Sequence, residues 1–163
     1  MQLTQLQLAR LLDVWPVARL ATVGGDGLPR IVPIVFVAMD GVLYSPVDGK
    51  PKRSTQLQRL RDIEGNRNAA LLLDHYDADW NALWWLRLDV ECEVLTADSL
   101  PMSDRDRIAL GLRGKYPQYE LVPPFAGEPT VVRLHVLAHR AWSAHPLEWD
   151  RIAARCSDPT GRA

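Results

Sequence analysis

Apolar positions along the chain change period several times. Leu3, Leu6, Leu11, Leu12 and Trp15 recur at roughly helical spacing until Pro16 stops the run, which predicts a helix over about residues 2–14. VARLATV and LPRIVPIVFVAM then flank a GGDG turn, and Asp40-Gly41 precedes VLYSPV, so three consecutive antiparallel strands are expected. The stretch VDGKPKRSTQLQRLRDI leads into a helix over about residues 54–65, with Leu57, Leu60 and Ile63 on its apolar face and Ser54 or Thr55 as its cap. AALLLDHY reads as a fourth strand. LWWLRLDVECEVLTA reads as a long fifth one, in which Leu86, Leu88, Val90, Cys92 and Val94 alternate with Arg87, Asp89, Glu91 and Glu93. SDRDRIALGLRGKYP predicts a helix opened by Ser103 and closed by Pro117, and TVVRLHVLAHRAWSA predicts the last strand. About six strands in sequential order with three helices favour an antiparallel barrel with appended helices, mainly β in an α+β arrangement. Residues 1–145 form this domain, and the polar residues 146–163 are expected to be a tail that frays.

Composition narrows the function classes. With 163 residues, 47% of them hydrophobic and 24% charged, one domain with a real core is expected. A formal net charge of −1 gives no general attraction to nucleic acid or to an anionic membrane, so any basic site must be local. Cys92 and Cys156 make neither a disulfide framework nor a zinc pattern. The start MQLTQLQLARLL lacks a signal-peptide pattern, and no apolar run approaches the ~18 residues of a membrane span. A cytoplasmic protein is the expectation.

Four local features carry candidate chemistry. The first is the basic loop: Lys50, Lys52, Arg53, Arg59, Arg61 and Arg67 stand against only Asp62 and Glu64. Cations at a helix start run against the helix dipole, which an anion seated among them would explain. A solvated helix face with i,i+4 pairs is the alternative. Gly49-Lys50 is followed by Pro51, so this is no Walker loop. The second is DWNALWWLR, where adjacent Trp84 and Trp85 must point to opposite faces of a strand, one inward and one toward a flat ligand or a partner subunit. The third, DHYDADWN, fails as a calcium loop, because Ala82 and Leu88 replace its glycine and glutamate. The fourth is the pair His135 and His139. On a regular strand they face the same side about 13 Å apart, too far to share a metal. No catalytic acid, base or nucleophile is recognisable, a profile that suits chemistry carried by a bound cofactor with a phosphate and a flat ring.

The segments ARLATVGGDGLPRIVPIVFV, LYSPVDGKPKRSTQLQRLRDI, NAALLLDHY and DWNALWWLRLDVECEV, in that order, resemble the pyridoxamine-phosphate-oxidase-like FMN-binding split β-barrels. Within that superfamily they look most similar to the actinobacterial oxidoreductases dependent on the deazaflavin coenzyme F-420. The resemblance covers about residues 15–145. It implies a six-stranded split barrel, a homodimer with two cofactor sites at the subunit interface, and hydride transfer to a small electron-poor substrate. It implies that Arg30, Ile31, Val32, Pro33, Ile34 and Val35, with Ser45, Pro46, Val47 and Asp48, offer backbone groups to the ring edge. It places the phosphate against Lys50, Lys52, Arg53 and Thr55, and closes the site with Trp85, Arg87 and Trp142 of the second subunit. The arginine–lysine pattern of the true pyridoxamine phosphate oxidases is replaced here by Lys50-Pro51-Lys52-Arg53, and their C-terminal motif is not visible after Ala141, which argues against vitamin B6 oxidation. An FMN-dependent oxidoreductase and a non-catalytic cofactor carrier remain the alternatives on the same barrel. An RNA-binding barrel is disfavoured by the net charge.

Overall fold

The computed structural model describes residues 2–47, 57–125, 127–145, 149, 151 and 152. Seven strands form one antiparallel sheet: β1 (Ala18–Val23), β2 (Pro29–Ile34), β3 (Val37–Met39), β4 (Val42–Pro46), β5 (Asn68–His75), β6 (Trp84–Leu95) and β7 (Val131–Ser143). Their order is β2-β1-β5-β6-β7-β4-β3. Among the described residues the α-helices α1 (Gln5–Val14), α2 (Gln58–Gly65) and α3 (Met102–Lys115) flank it, and Trp149, Arg151 and Ile152 are helical too.

The count is seven rather than six because the run expected as one strand over 28–39 breaks at Val35-Phe36. The Phe36 backbone leaves the ladder to meet a side chain. Its N–H donates to Tyr116 Oη at 2.9 Å, and the same hydroxyl donates to the Phe36 carbonyl at 2.8 Å. Both backbone groups of a buried residue are thus satisfied away from either strand. The Phe36 ring is fully buried.

Local chemistry sets the helix starts. Thr4 and Gln7 form a capping box on α1, which begins at Gln5 rather than residue 2. Helix α3 is preceded by Pro101 at the cap position, so Ser103 lies inside the helix rather than capping it. For α2, Ile63 is buried and Leu60 packs against the core as expected, whereas the proposed caps Ser54 and Thr55 lie outside the described residues.

Two apolar clusters result. The larger lies inside the curled sheet and joins Leu20, Leu71, Leu86, Leu88 and Leu134 to α1 and to Ile63. The smaller packs α3 through Ile108 and Leu112 against Val37, Leu95 and Val131. Trp149 and Ile152, in the segment read as a fraying tail, are buried in the larger cluster, with the Trp149 ring 5.6 Å from that of Trp84. No helix among the described residues is long and apolar enough to cross a membrane.

Candidate functional site

The basic loop itself falls largely outside the described residues: Asp48, Lys50, Lys52, Arg53 and Thr55 all do. Both of its flanks are described. On one side β4 continues into Val47, whose N–H donates to the Thr130 carbonyl at 2.9 Å. On the other side is α2, held by a buried carboxylate. Asp62 is 2% exposed and accepts from Thr22 Oγ1 and from Gln58 Nε2, each at 2.9 Å. Arg30 Nη1 lies 3.5 Å from its Oδ1. Asp62 therefore ties the helix that follows the loop to β1 and β2.

Arg30 also pairs with Asp26 in the β1–β2 turn. Its guanidinium lies over Gly24, where a Cβ would stand 1.8 Å from Nη1, so a larger residue there would push the Arg30 side chain aside. Its cation is thus already matched by two carboxylates, and it serves as a brace rather than as a free anion ligand. Arg67 departs from the expected basic cluster in the same way. It donates to the Cys92 carbonyl and lies 3.7 Å from both Glu91 and Glu93, on the side of β6.

The ring-edge segments have one structural property in common. Among the described residues, strand β2 is the last in the sheet and pairs only with β1. Strand β4 pairs with β3 through Val42–Tyr44, so among the described residues Ser45 and Pro46 have β7 on one side and no strand on the other. Pro33, opposite Arg19, brings no N–H to either side, which suits an edge. Of the residues expected there, Ile31 and Pro33 are exposed, Arg30, Val32, Val35 and Val47 are half-buried, and Ile34, Ser45 and Pro46 are buried, so these last three have only backbone to offer.

The tryptophans divide as the alternation demands. Trp84 is buried, packed edge-on against Trp15 with ring centres 4.5 Å apart, while Trp85 faces out at 37% exposure. Trp142 stands opposite Trp85 in the β6–β7 register and is also exposed. Arg87, on the same outer face, binds Asp89 at 3.2 Å. Within one chain, Trp85, Arg87 and Trp142 sit on β6 and β7, with β1 and β5 between them and β2.

The histidine expectation is corrected. The register slips between Asp89 and Val90, where Asp89 pairs Ala138 but Val90 pairs Val136, leaving Leu137 as an extra, exposed residue. A bulge of one residue inverts the alternation beyond it, so His135 and His139 lie on opposite faces. His139 Nε2 accepts the N–H of Leu3. In DHYDADWN the carboxylates serve local turns: Asp77 accepts from the Asp79 N–H, and Asp79 caps the short 3-10 turn Trp80–Ala82 through the Asn81 N–H.

Two functional features escaped the sequence. Asp62 was read only as a counter-charge on a basic helix, because its partner Thr22 lies forty positions away and no local pattern links them. Arg140 carried no signal until the β6–β7 register set it opposite Arg87.

The antiparallel sheet with its flanking helices is similar in fold to several solved structures. The solved structures it resembles include a conserved hypothetical protein of Mycobacterium tuberculosis, with a TM-score of 0.71 at 16% identity, covering 90% of this chain and 89% of that one. An FAD-binding protein of Mesorhizobium loti gives 0.61 at 19%, over 85% and 92%. A putative pyridoxamine 5'-phosphate oxidase of Listeria innocua gives 0.57 at 18%, over 84% and 98%. An F-420 reductase gives 0.53 at 19%, over 80% and 93%. No protein-family model and no curated protein sequence matches the chain.

Proposed function

We propose that the chain is an F-420-dependent oxidoreductase, acting as a homodimer on a small electron-poor substrate. The observation that carries this reading is the pair of backbone edges at β2 and at Ser45-Pro46, one of which runs straight into the basic loop. A flat heterocycle with a ribityl phosphate needs hydrogen-bonding groups along one edge and cations at its tail, and these residues fit both needs. When bound, the deazaflavin supplies two-electron hydride chemistry. The backbone of residues 30–35 and 45–48 orients the ring, and Lys50, Lys52, Arg53 and Thr55 hold the phosphate. Trp85, Arg87 and Trp142 of a second copy cover the open face and exclude water. The likeness in fold to an F-420 reductase supports the reading. The likeness to an FAD-binding protein favours a flavin as the second reading, with FMN as the cofactor on the same edges.

Parallel titrations with F-420 and FMN, followed by tryptophan quenching, separate the two. Tight F-420 binding with weak FMN binding is expected, and the reverse preference would replace the deazaflavin reading with the flavin one. Lys52→Ala and Arg53→Ala are each expected to weaken cofactor binding by about 1.5–3 kcal/mol, the range for a direct charge-assisted contact. Unchanged affinity in both variants would remove the phosphate site. Sedimentation at micromolar concentration should show a dimer, and a monomer would leave Trp85 and Trp142 unable to reach the ring.

A further inference from the structure

The outer face of β6 and β7 carries a two-by-two block. Trp85 stands opposite Trp142, and two residues along both strands, on the same face, Arg87 stands opposite Arg140. Like charges directly opposite on a sheet face repel, so the arrangement costs stability unless something negative lies near it. Arg87 has Asp89. Arg140 has no carboxylate partner among the described residues, unlike the other strand arginines: Arg19 pairs with Asp74, Arg30 with Asp26 and Asp62, and Arg133 with Glu93.

Two hollows adjoin the block and share both tryptophans. One, of about 380 Å³, is bounded by Leu72, Tyr76 and Leu83. The other, of about 450 Å³, is bounded by Arg140 and His139. Other polar groups there have partners: Asp74 pairs with Arg19, and His75 Nε2 lies 3.5 Å from an Asp77 oxygen. His139 has its Nε2 occupied by the Leu3 N–H. Two exposed indoles, an apolar hollow and one unmatched guanidinium therefore lie side by side. Indole faces take flat rings, and a guanidinium takes a carboxylate in two parallel hydrogen bonds.

We infer that Arg140, with Trp85 and Trp142, receives the anionic group of a flat, mostly apolar ligand of the aromatic carboxylate class. That this ligand is the substrate rests on the proposed function, which brings the same face over the cofactor ring. The binding itself does not depend on it. Arg140 then sets specificity, selecting planar acids over their neutral analogues.

The test is calorimetric titration of the full chain with 2-naphthoate and with uncharged 2-naphthamide, for the wild type, Arg140→Gln and Arg140→Lys. F-420 affinity is measured on each. The wild type should prefer the acid by tenfold or more, Arg140→Gln should bring the two probes within about twofold, and Arg140→Lys should keep part of the preference. F-420 affinity should stay within about twofold in both variants. Equal binding of acid and amide by the wild type, binding of neither, or an unchanged preference in Arg140→Gln would overturn the site. Loss of F-420 binding in Arg140→Gln would also overturn it, by giving the arginine to the cofactor. A wild type that ignores F-420 but keeps the acid preference would instead remove the proposed function and leave this site standing.

Discussion

Asp62→Ala should lower the stability of the folded chain by about 2–4 kcal/mol. The carboxylate is buried and accepts from Thr22 and Gln58 while facing Arg30. Removing it leaves the Thr22 hydroxyl inside without an acceptor and withdraws one of the two anions beside Arg30. Breaking a buried ion pair from one side costs roughly 3–5 kcal/mol. The Arg30 side chain is about one third exposed, which screens its share and moves the expectation to the lower range. Asp62→Asn keeps the shape and one acceptor, and should cost about half as much. Since each kcal/mol shifts the midpoint of a domain this size by roughly 2–4 °C, thermal melts resolve both variants. An Asp62→Ala protein melting within a degree or two of the wild type would mean that the interior at α2 relaxes freely. The loop from 48 to 56 would then lack the fixed landing point proposed for it.

How much of this was legible in the sequence depends on how local each cause is. The alternation in LWWLRLDVECEV required Trp84 and Trp85 to face opposite ways, because a strand's period of two follows from backbone geometry alone, and the structure puts Trp84 inside and Trp85 outside. A bulge or an edge at Pro33 was legible for the same reason, since the missing N–H belongs to the residue itself, and among the described residues it is an edge. The break at Phe36 was not legible, because it is made by a hydroxyl eighty positions away in Tyr116. The bulge at Leu137 was hidden too. Nothing in VLAHR distinguishes a regular strand from one with an extra residue until its partner is known, and one extra residue was enough to put His135 and His139 on opposite faces. Trp149 and Ile152 were lost among polar neighbours, where two isolated apolar residues give no period. The candidate site follows this division: the cluster of cations is visible in local sequence, the ring-edge residues came from the resemblance, and the brace at Asp62 and the pairing of Arg87 with Arg140 could not be read at all.

Lys115 gives the second large expectation, a rise in stability between pH 7 and 9 that Lys115→Met abolishes. The side chain ends α3, donates to the Leu12 carbonyl at 2.7 Å and lies 3.7 Å from the centre of the Phe36 ring. Burial pushes its amine down from 10.5 to about 7, against a weaker upward pull from Asp13. In the unfolded chain the amine stays protonated up to its ordinary value. Unfolding between about pH 7 and 10.5 therefore takes up a proton, and stability rises with pH across that window. It is fully present above the unfolded value and lost as pH falls toward 7. A gap of this size corresponds to a few kcal/mol. Two neighbours in the fold oppose the rise at higher pH. The buried Cys92 thiol is pushed up from 9.0 to about 12, and the Tyr116 phenol is raised by burial, against a smaller lowering by its bond to Phe36. Each of these loses stability as pH climbs past its unfolded value, so the comparison belongs below pH 9. Denaturant unfolding at pH 7 and pH 9 should show a gain of about 2 kcal/mol or more for the wild type and a much flatter response for Lys115→Met. Equal slopes in the two proteins would mean that the amine stays hydrated in the folded state. The effect bears on the site as well. Lys115 packs on the residue at which the chain turns from β2 into β3, directly after the segment assigned to the ring edge. Charging the amine while it stays buried beneath that turn is costly, so cofactor affinity should weaken as pH falls through 7 in the wild type and hold level in Lys115→Met.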